Sequence, residues 1–147
     1  MENNVAKIQD KDGNSWLYSE KVREHFFHPK NMLLNSENFD LSDYFEGRVG
    51  SPACGDEMVI WIKIENNKIA DCKWQTFGCG SAIASTSVLS EMLLENNGMT
   101  VEEALKITPQ DITERLGGLP ARKIHCSVLG DQALQLAIKN WKKQALI

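Results

Sequence analysis

The sequence has no surplus of positive charge: 16 Lys and Arg stand against 20 Asp and Glu, for a formal net charge of −4 with the three histidines neutral. A surface of that sign does not attract nucleic acid phosphates. Long hydrophobic runs are also missing. The apolar stretches are of the Met58-Val59-Ile60-Trp61-Ile62 kind, far short of the roughly 18 residues a membrane span requires, so no transmembrane helix is expected. Residues Met1 to Asp10 have neither the apolar core of a signal peptide nor the arginines of a transit peptide, which predicts a cytoplasmic protein. There is no Gly-rich phosphate loop, serine nucleophile elbow, HExxH helix, internal repeat or low-complexity tract.

What is present is ordinary in amount: 147 residues, 42% of them hydrophobic and 24% charged. A chain of that length buries roughly 68–70% of its unfolded surface, enough for one domain. The first fifteen residues are polar, end in Asp12-Gly13-Asn14-Ser15 and show no apolar period, so they read as a flexible tail before a domain spanning 16–147.

Ser19 is positioned to cap a first helix in which Val22 and Phe26 share a face and which Pro29 stops. Residues 31–48 have no sustained period and read as a connecting loop. Two strands, Glu57 to Glu65 and Lys68 to Phe77, flank Asn66-Asn67, whose amides tolerate the positive φ of a tight hairpin. With Glu65 facing Lys68, and no bulge, Trp61 falls opposite Cys72, Val59 opposite Trp74 and Cys54 opposite Cys79. The period then becomes helical. Ala82, Ser85, Leu89, Met92 and Leu93 share one face, with Val88 beside it, until Asn96-Asn97-Gly98 supplies a C-cap. Thr100 with Glu103, and Thr108 with Pro109, start two short helices, the second ended by Gly117-Gly118. A fifth helix begins near Ser127 with Leu134, Ile138 and Trp141 in one stripe.

Four cysteines remain to be explained. In a reducing compartment they are better used for metal or thiol chemistry than for disulfides. Cys79 precedes one helix and Cys126 introduces another, where unpaired N–H groups favour thiolate. Cys54 lies in the turn Pro52-Ala53-Cys54-Gly55-Asp56, with a carboxylate two residues away. With His125 these make five candidate donors, Cys54, Asp56, Cys79, His125 and Cys126. Cys72 belongs by hairpin parity among Val59, Ala70 and Trp74 and is assigned to packing. His25 and His28, on or just after the first helix, are assigned structural roles. The intervals between cysteines match no C-x-x-C zinc or ferredoxin pattern, so spacing alone supports only a metal or thiol site.

Three motifs go further. Gly50-Ser51-Pro52-Ala53-Cys54-Gly55-Asp56, Thr76-Phe77-Gly78-Cys79-Gly80-Ser81-Ala82-Ile83-Ala84 and Lys123-Ile124-His125-Cys126-Ser127 closely resemble the U-type iron–sulfur cluster scaffolds, IscU and the N-terminal domain of NifU. The resemblance runs from Tyr18 through the final helix. It implies an α+β fold, a three-stranded antiparallel sheet packed by about five helices in a single domain. It also implies a non-enzymatic scaffold whose cluster ligands are Cys54, Cys79 and Cys126, with Asp56 and His125 at the remaining site positions.

Such proteins receive persulfide sulfur from a cysteine desulfurase, with Cys126 the implied acceptor. They take iron and electrons from donors such as a frataxin-like protein and ferredoxin, build a [2Fe–2S] cluster and pass it to apo-proteins; zinc can occupy the same donors. The family's Hsp70-binding Leu-Pro-Pro-Val-Lys element is replaced by Leu119-Pro120-Ala121-Arg122-Lys123, which argues against chaperone recognition. The alternative is a zinc-dependent sulfurtransferase like the SufU proteins. His125 beside Cys126, and no evident insertion before Leu119, argue against it.

Overall fold

The computed structural model describes residues 5–9, 15–34, 38–50, 57–77, 80–118 and 126–145. Two strands, β1 (Val5–Gln9) and β2 (Ser15–Ser19), precede helix α1 (Glu20–Phe27); strand β3 (Phe45–Val49) leads to the hairpin β4 (Met58–Glu65) and β5 (Lys68–Thr76). Helices α2 (Gly80–Leu94), α3 (Val101–Leu105), α4 (Pro109–Arg115) and α5 (Cys126–Ala145) follow. The sheet is antiparallel in the order β3-β4-β5. One face of it is covered by α5 on β3 and β4 and by α2 on β5, with α1 packed against α2. The α+β architecture with a three-stranded sheet and five helices is therefore as expected.

Local signals explain the element ends. Asn66 and Asn67 adopt φ of 53° and 63°, as a two-residue hairpin demands. Thr108 and Asp111 form a reciprocal capping box at α4, and the Thr100 hydroxyl accepts from the Glu103 N–H at α3. Helix α2 stops at Leu94, and a 3-10 turn carries the chain to Asn97. At Gly98, with φ of 100°, a Cβ would stand 2.3 Å from the Ile69 carbonyl oxygen.

Five expectations are corrected. The polar stretch 1–15, expected to lack regular structure, contains β1, paired with β2 from Val5↔Ser19 to Gln9↔Ser15; polar side chains do not prevent a backbone ladder. The stretch 31–48, read as a loop, contains the start of β3, too short to show a period until it pairs with β4. In α1 the buried residues are Val22 and His25, while Phe26 is 40% exposed.

The fourth correction is the hairpin register. Glu65↔Lys68 holds, but Ala70 is an extra residue in β5, so Lys63 pairs Asp71, Ile62 pairs Cys72, Trp61 pairs Lys73 and Ile60 pairs Trp74. A bulge moves every later residue to the other partner and face. Met58, Ile60, Ile62, Cys72 and Trp74 thus enter the helix-covered core without Val59 or Trp61. Burial of each such aliphatic side chain contributes about 2 kcal/mol.

Fifth, α2 is buried around most of its circumference rather than on one face: Ala84, Thr86, Ser87 and Ser90 are inaccessible as well as Val88 and the expected stripe. Its small polar residues find partners in the segment after α1. The Lys30 N–H donates to Ser87 Oγ (2.8 Å), Asn31 Nδ2 donates to Ser90 Oγ (3.0 Å), and the Ser90 hydroxyl donates to the Lys30 carbonyl (3.1 Å). Residues 31–33 then bridge to the β5 edge at Trp74, whose indole N–H donates to the Lys30 carbonyl at 2.7 Å.

Candidate functional site

Of the five candidate donors, Cys54, Asp56, Cys79 and His125 lie outside the described residues, and Cys126 is the first residue of α5. What the structure supplies is the frame that flanks them. The 51–56 segment joins β3 to β4, the 78–79 segment joins β5 to α2, and 119–125 leads into α5. Among the described residues no group of three or more His, Cys, Asp or Glu could hold a metal, and no helix is long and apolar enough to cross a membrane.

The flanks meet at Met58, the first residue of β4. Met58 pairs with Thr76, the last residue of β5, and its sulfur accepts from the Thr86 hydroxyl of α2 at 3.6 Å. At Gly130 of α5, a Cβ would lie 3.1 Å from that same Thr86 hydroxyl oxygen and 3.4 Å from Leu89. Helices α2 and α5 thus approach each other within two turns of their starts, beside the start of β4 and the end of β5. Each helix starts where the sequence places it, at Gly80 just after Cys79 and at Cys126. A helix start directs unpaired N–H groups toward whatever precedes it and favours anionic thiolate over thiol there. Phe77, two residues before Cys79, is 65% exposed, whereas Glu57, Met58 and Thr76 at the same end of the sheet are buried.

The last described pair, Met58↔Thr76, keeps the shifted register. Direct opposition of Cys54 and Cys79, expected of an unbulged hairpin, does not follow from it. Cys72 is fully buried opposite Ile62, and burial pushes its thiol up to about 12, with the Asp71 charge adding and Lys73 opposing. A thiol held neutral in a core is a packing group. His25 also fits its structural assignment: its Nδ1 lies 2.7 Å from Ser87 Oγ, and burial lowers its pKa.

Sequence reasoning passed over Glu57 and Arg48. Glu57 is buried at 8% exposure and forms an ion pair with Arg48 of β3; its carbonyl accepts from the Phe77 N–H (3.1 Å) and the Thr76 hydroxyl (2.8 Å). The available signal was a carboxylate opening an apolar strand, where a charge requires a partner.

A family model described as NifU-like N terminal domain matches residues 17–146. The chain belongs to this family. Among its NifU-like relatives, the nitrogen fixation protein NifU of Nostoc sp. is 48% identical over 130 residues, covering 86% of this chain and 42% of that protein. The chain thus spans less than half the length of that relative. The iron-sulfur cluster assembly scaffold protein IscU 1 of Archaeoglobus fulgidus is 47% identical over 125 residues, covering 85% of this chain and 76% of that one. The IscU scaffold protein of Aquifex aeolicus is 46% identical over 129 residues, with coverage of 86% and 77%. A solved NifU-like N-terminal domain from Brucella abortus shares the fold at a TM-score of 0.57 with 14% identity, over 86% of this chain and 94% of that one.

Proposed function

We propose that this NifU-like chain is a scaffold on which a labile [2Fe–2S] cluster is assembled and from which it is passed to apo-proteins. The supporting observation is the meeting of β4, β5, α2 and α5 around Met58. Chain connectivity tethers Cys54, Cys79 and Cys126 to Met58, Thr76 and Gly130 by four, three and four residues. Four residues reach at most about 14 Å when extended, a reach that allows the three thiols to converge on one cargo.

The donor chemistry fits. Two tetrahedral irons bridged by two sulfides need four outer ligands; Cys54, Cys79 and Cys126 supply soft thiolates, and Asp56 or His125 supplies the fourth. A carboxylate or imidazole grips iron less firmly than a fourth thiolate, and the exposed Phe77 side chain two residues before Cys79 would be reachable by an acceptor. Both favour release. Sulfur arrives as persulfide from a cysteine desulfurase, with Cys126 as acceptor at its helix start. Each sulfane sulfur must gain two electrons to become sulfide, which calls for a reductant such as ferredoxin alongside an iron donor of the frataxin-like kind. Free thiols of this kind suit the reducing cytoplasm.

The test is anaerobic reconstitution with iron, cysteine and desulfurase, followed by visible absorption and by transfer to an apo-ferredoxin. Growth of a cluster spectrum and its appearance in the acceptor is the expected result. Tight zinc with persulfide relay and no cluster would instead indicate a SufU-like sulfurtransferase.

A further inference from the structure

The two edges of the three-stranded sheet are finished differently. Along β5 the outward N–H groups are taken: Ile69 donates to the Met99 carbonyl (2.8 Å), Cys72 to Asp71 Oδ1 (2.9 Å) and Trp74 to the Asn31 carbonyl (3.3 Å). Antiparallel pairing then fixes the direction of every group on β3. Trp74 turns its amide away from β4, so its partner Ile60 faces β3 and bonds Gly47, and the residues on either side of Gly47, Glu46 and Arg48, turn their N–H and C=O groups out of the sheet. Among the described residues neither of those N–H groups nor the Arg48 carbonyl has a backbone partner. The Glu46 carbonyl accepts from Asn140 Nδ2 of α5 at 2.6 Å, in an exposed position, and keeps a second lone pair. Both residues are exposed, and an open edge of this kind is a template for another strand.

We infer that β3 is a self-association surface, which pairs antiparallel with β3 of a second copy of this chain about a dyad at Gly47. Charge selects both the occupant and the register. Pairing centred on Glu46 sets carboxylate against carboxylate, and pairing centred on Arg48 sets guanidinium against guanidinium; like charges directly opposite are destabilising. Centred on Gly47, each Glu46 stands opposite the other copy's Arg48, and each such pair exchanges two backbone hydrogen bonds. The surface is thus its own complement, as a two-fold interface requires.

The side chains have capacity for this pairing. Within its own chain Glu46 uses Oε1, toward Arg48 (3.4 Å) and the Trp61 indole N–H (3.1 Å), which leaves Oε2 for the second copy, and about half of each side chain is exposed, 48% for Glu46 and 47% for Arg48. Helix α5 lies alongside. Asn140 reaches the outer side of β3, so half-buried Leu136, one turn earlier on the same flank of the helix, faces the incoming copy. A short strand pair with two ion pairs and one leucine contact is a small interface, and the dimer it makes depends on concentration.

The test is sedimentation velocity of the full chain under reductant from about 10 to 500 µM, with amide hydrogen exchange over the same range. The parent should pass from monomer to dimer, and the Glu46 and Arg48 amides should gain about tenfold protection while Gly47, already bonded to β4, stays unchanged. Glu46→Arg, and Arg48→Glu combined with Glu57→Gln, should each weaken the dimer about tenfold or more by opposing like charges. Mixing those two variants restores both opposite-charge pairs and should restore the dimer. Leu136→Glu should weaken it as well. Near-ultraviolet circular dichroism matching the parent establishes that each variant is folded.

A parent that stays monomeric throughout would overturn the inference and leave the edge to a strand of another protein. Parental affinity in folded Glu46→Arg and Leu136→Glu chains, or protection gained elsewhere than at Glu46 and Arg48, would place the interface on another surface and overturn it too. A mixture of the two charge variants that associates no better than either alone would overturn the register. The scaffold reading stands or falls separately, on cluster reconstitution.

Discussion

Gly47 of β3 lies so close to α5 that a Cβ on it would stand 1.9 Å from the Ala133 carbonyl oxygen and 2.6 Å from the Ala137 nitrogen. The atoms in the way are helix backbone, so no rotamer change can relieve the clash. Because α5 begins at Cys126, this contact governs how the helix and its leading cysteine sit over the sheet.

Gly47→Ala should therefore be among the most damaging single-methyl additions. Overpacking against backbone predicts a loss of about 3 kcal/mol, read as a lower urea midpoint with an unchanged slope. A stability within about 0.5 kcal/mol of the parent would mean that α5 slides freely on β3.

The cysteines should divide three to one. Cys54→Ser, Cys79→Ser and Cys126→Ser should each abolish or severely weaken cluster reconstitution, while Cys72→Ala should keep the visible spectrum and lose about 1 kcal/mol from its small cavity. Loss of the spectrum in a folded Cys72→Ala chain would reject the packing assignment.

Asp56→Ala should lengthen cluster lifetime by about threefold or more while slowing assembly or transfer, since it removes a hard, exchangeable oxygen donor from a thiolate set. Decay rates measured with matched reductant and chelator check this; an unchanged rate would exclude Asp56 from the release step.

His25 should confer acid sensitivity. Burial lowers its folded pKa below the ordinary 6.5 and outweighs Glu91 and Glu24, which raise it, while Lys30 and Lys21 lower it further. His25 Nδ1 lies 2.7 Å from Ser87 Oγ, an oxygen that also accepts from the Lys30 N–H. Below about pH 6.5 the unfolded chain takes up a proton that the folded chain does not, so stability falls as the pH drops through that value. Urea midpoints between about pH 7.5 and 5 should show this slope in the parent and a flatter one in His25→Gln.

The parts legible from sequence were those set by neighbours in the chain. Asn66-Asn67 tolerates the positive φ of a tight turn, Thr108 caps α4 through a residue three positions on, and the spacing of Leu134, Ile138 and Trp141 marks the face of α5 that packs inward, the first two fully buried and Trp141 partly so. The candidate donors were named in the same way, by residue type beside a helix start or a glycine turn. The Ala70 bulge left no such mark, and it reversed the partners of Trp61 and Cys72. Nor did β3, whose five residues show strand character only against β4, or α2, which proved buried on nearly every side because α1, α4, α5 and β5 all pack on it.

By itself the sequence determined the family, the helix and turn boundaries and the identity of the thiols, because capping, turn preference and residue chemistry act over a few positions. Only the tertiary structure decided that β4, β5, α2 and α5 begin or end around Met58 and that Glu57 pairs with Arg48 while its carbonyl accepts from Thr76 and Phe77. Those relations depend on strand register, on a helix seated against a glycine and on a charge whose partner stands across the sheet, and none of these has a cause local to the chain.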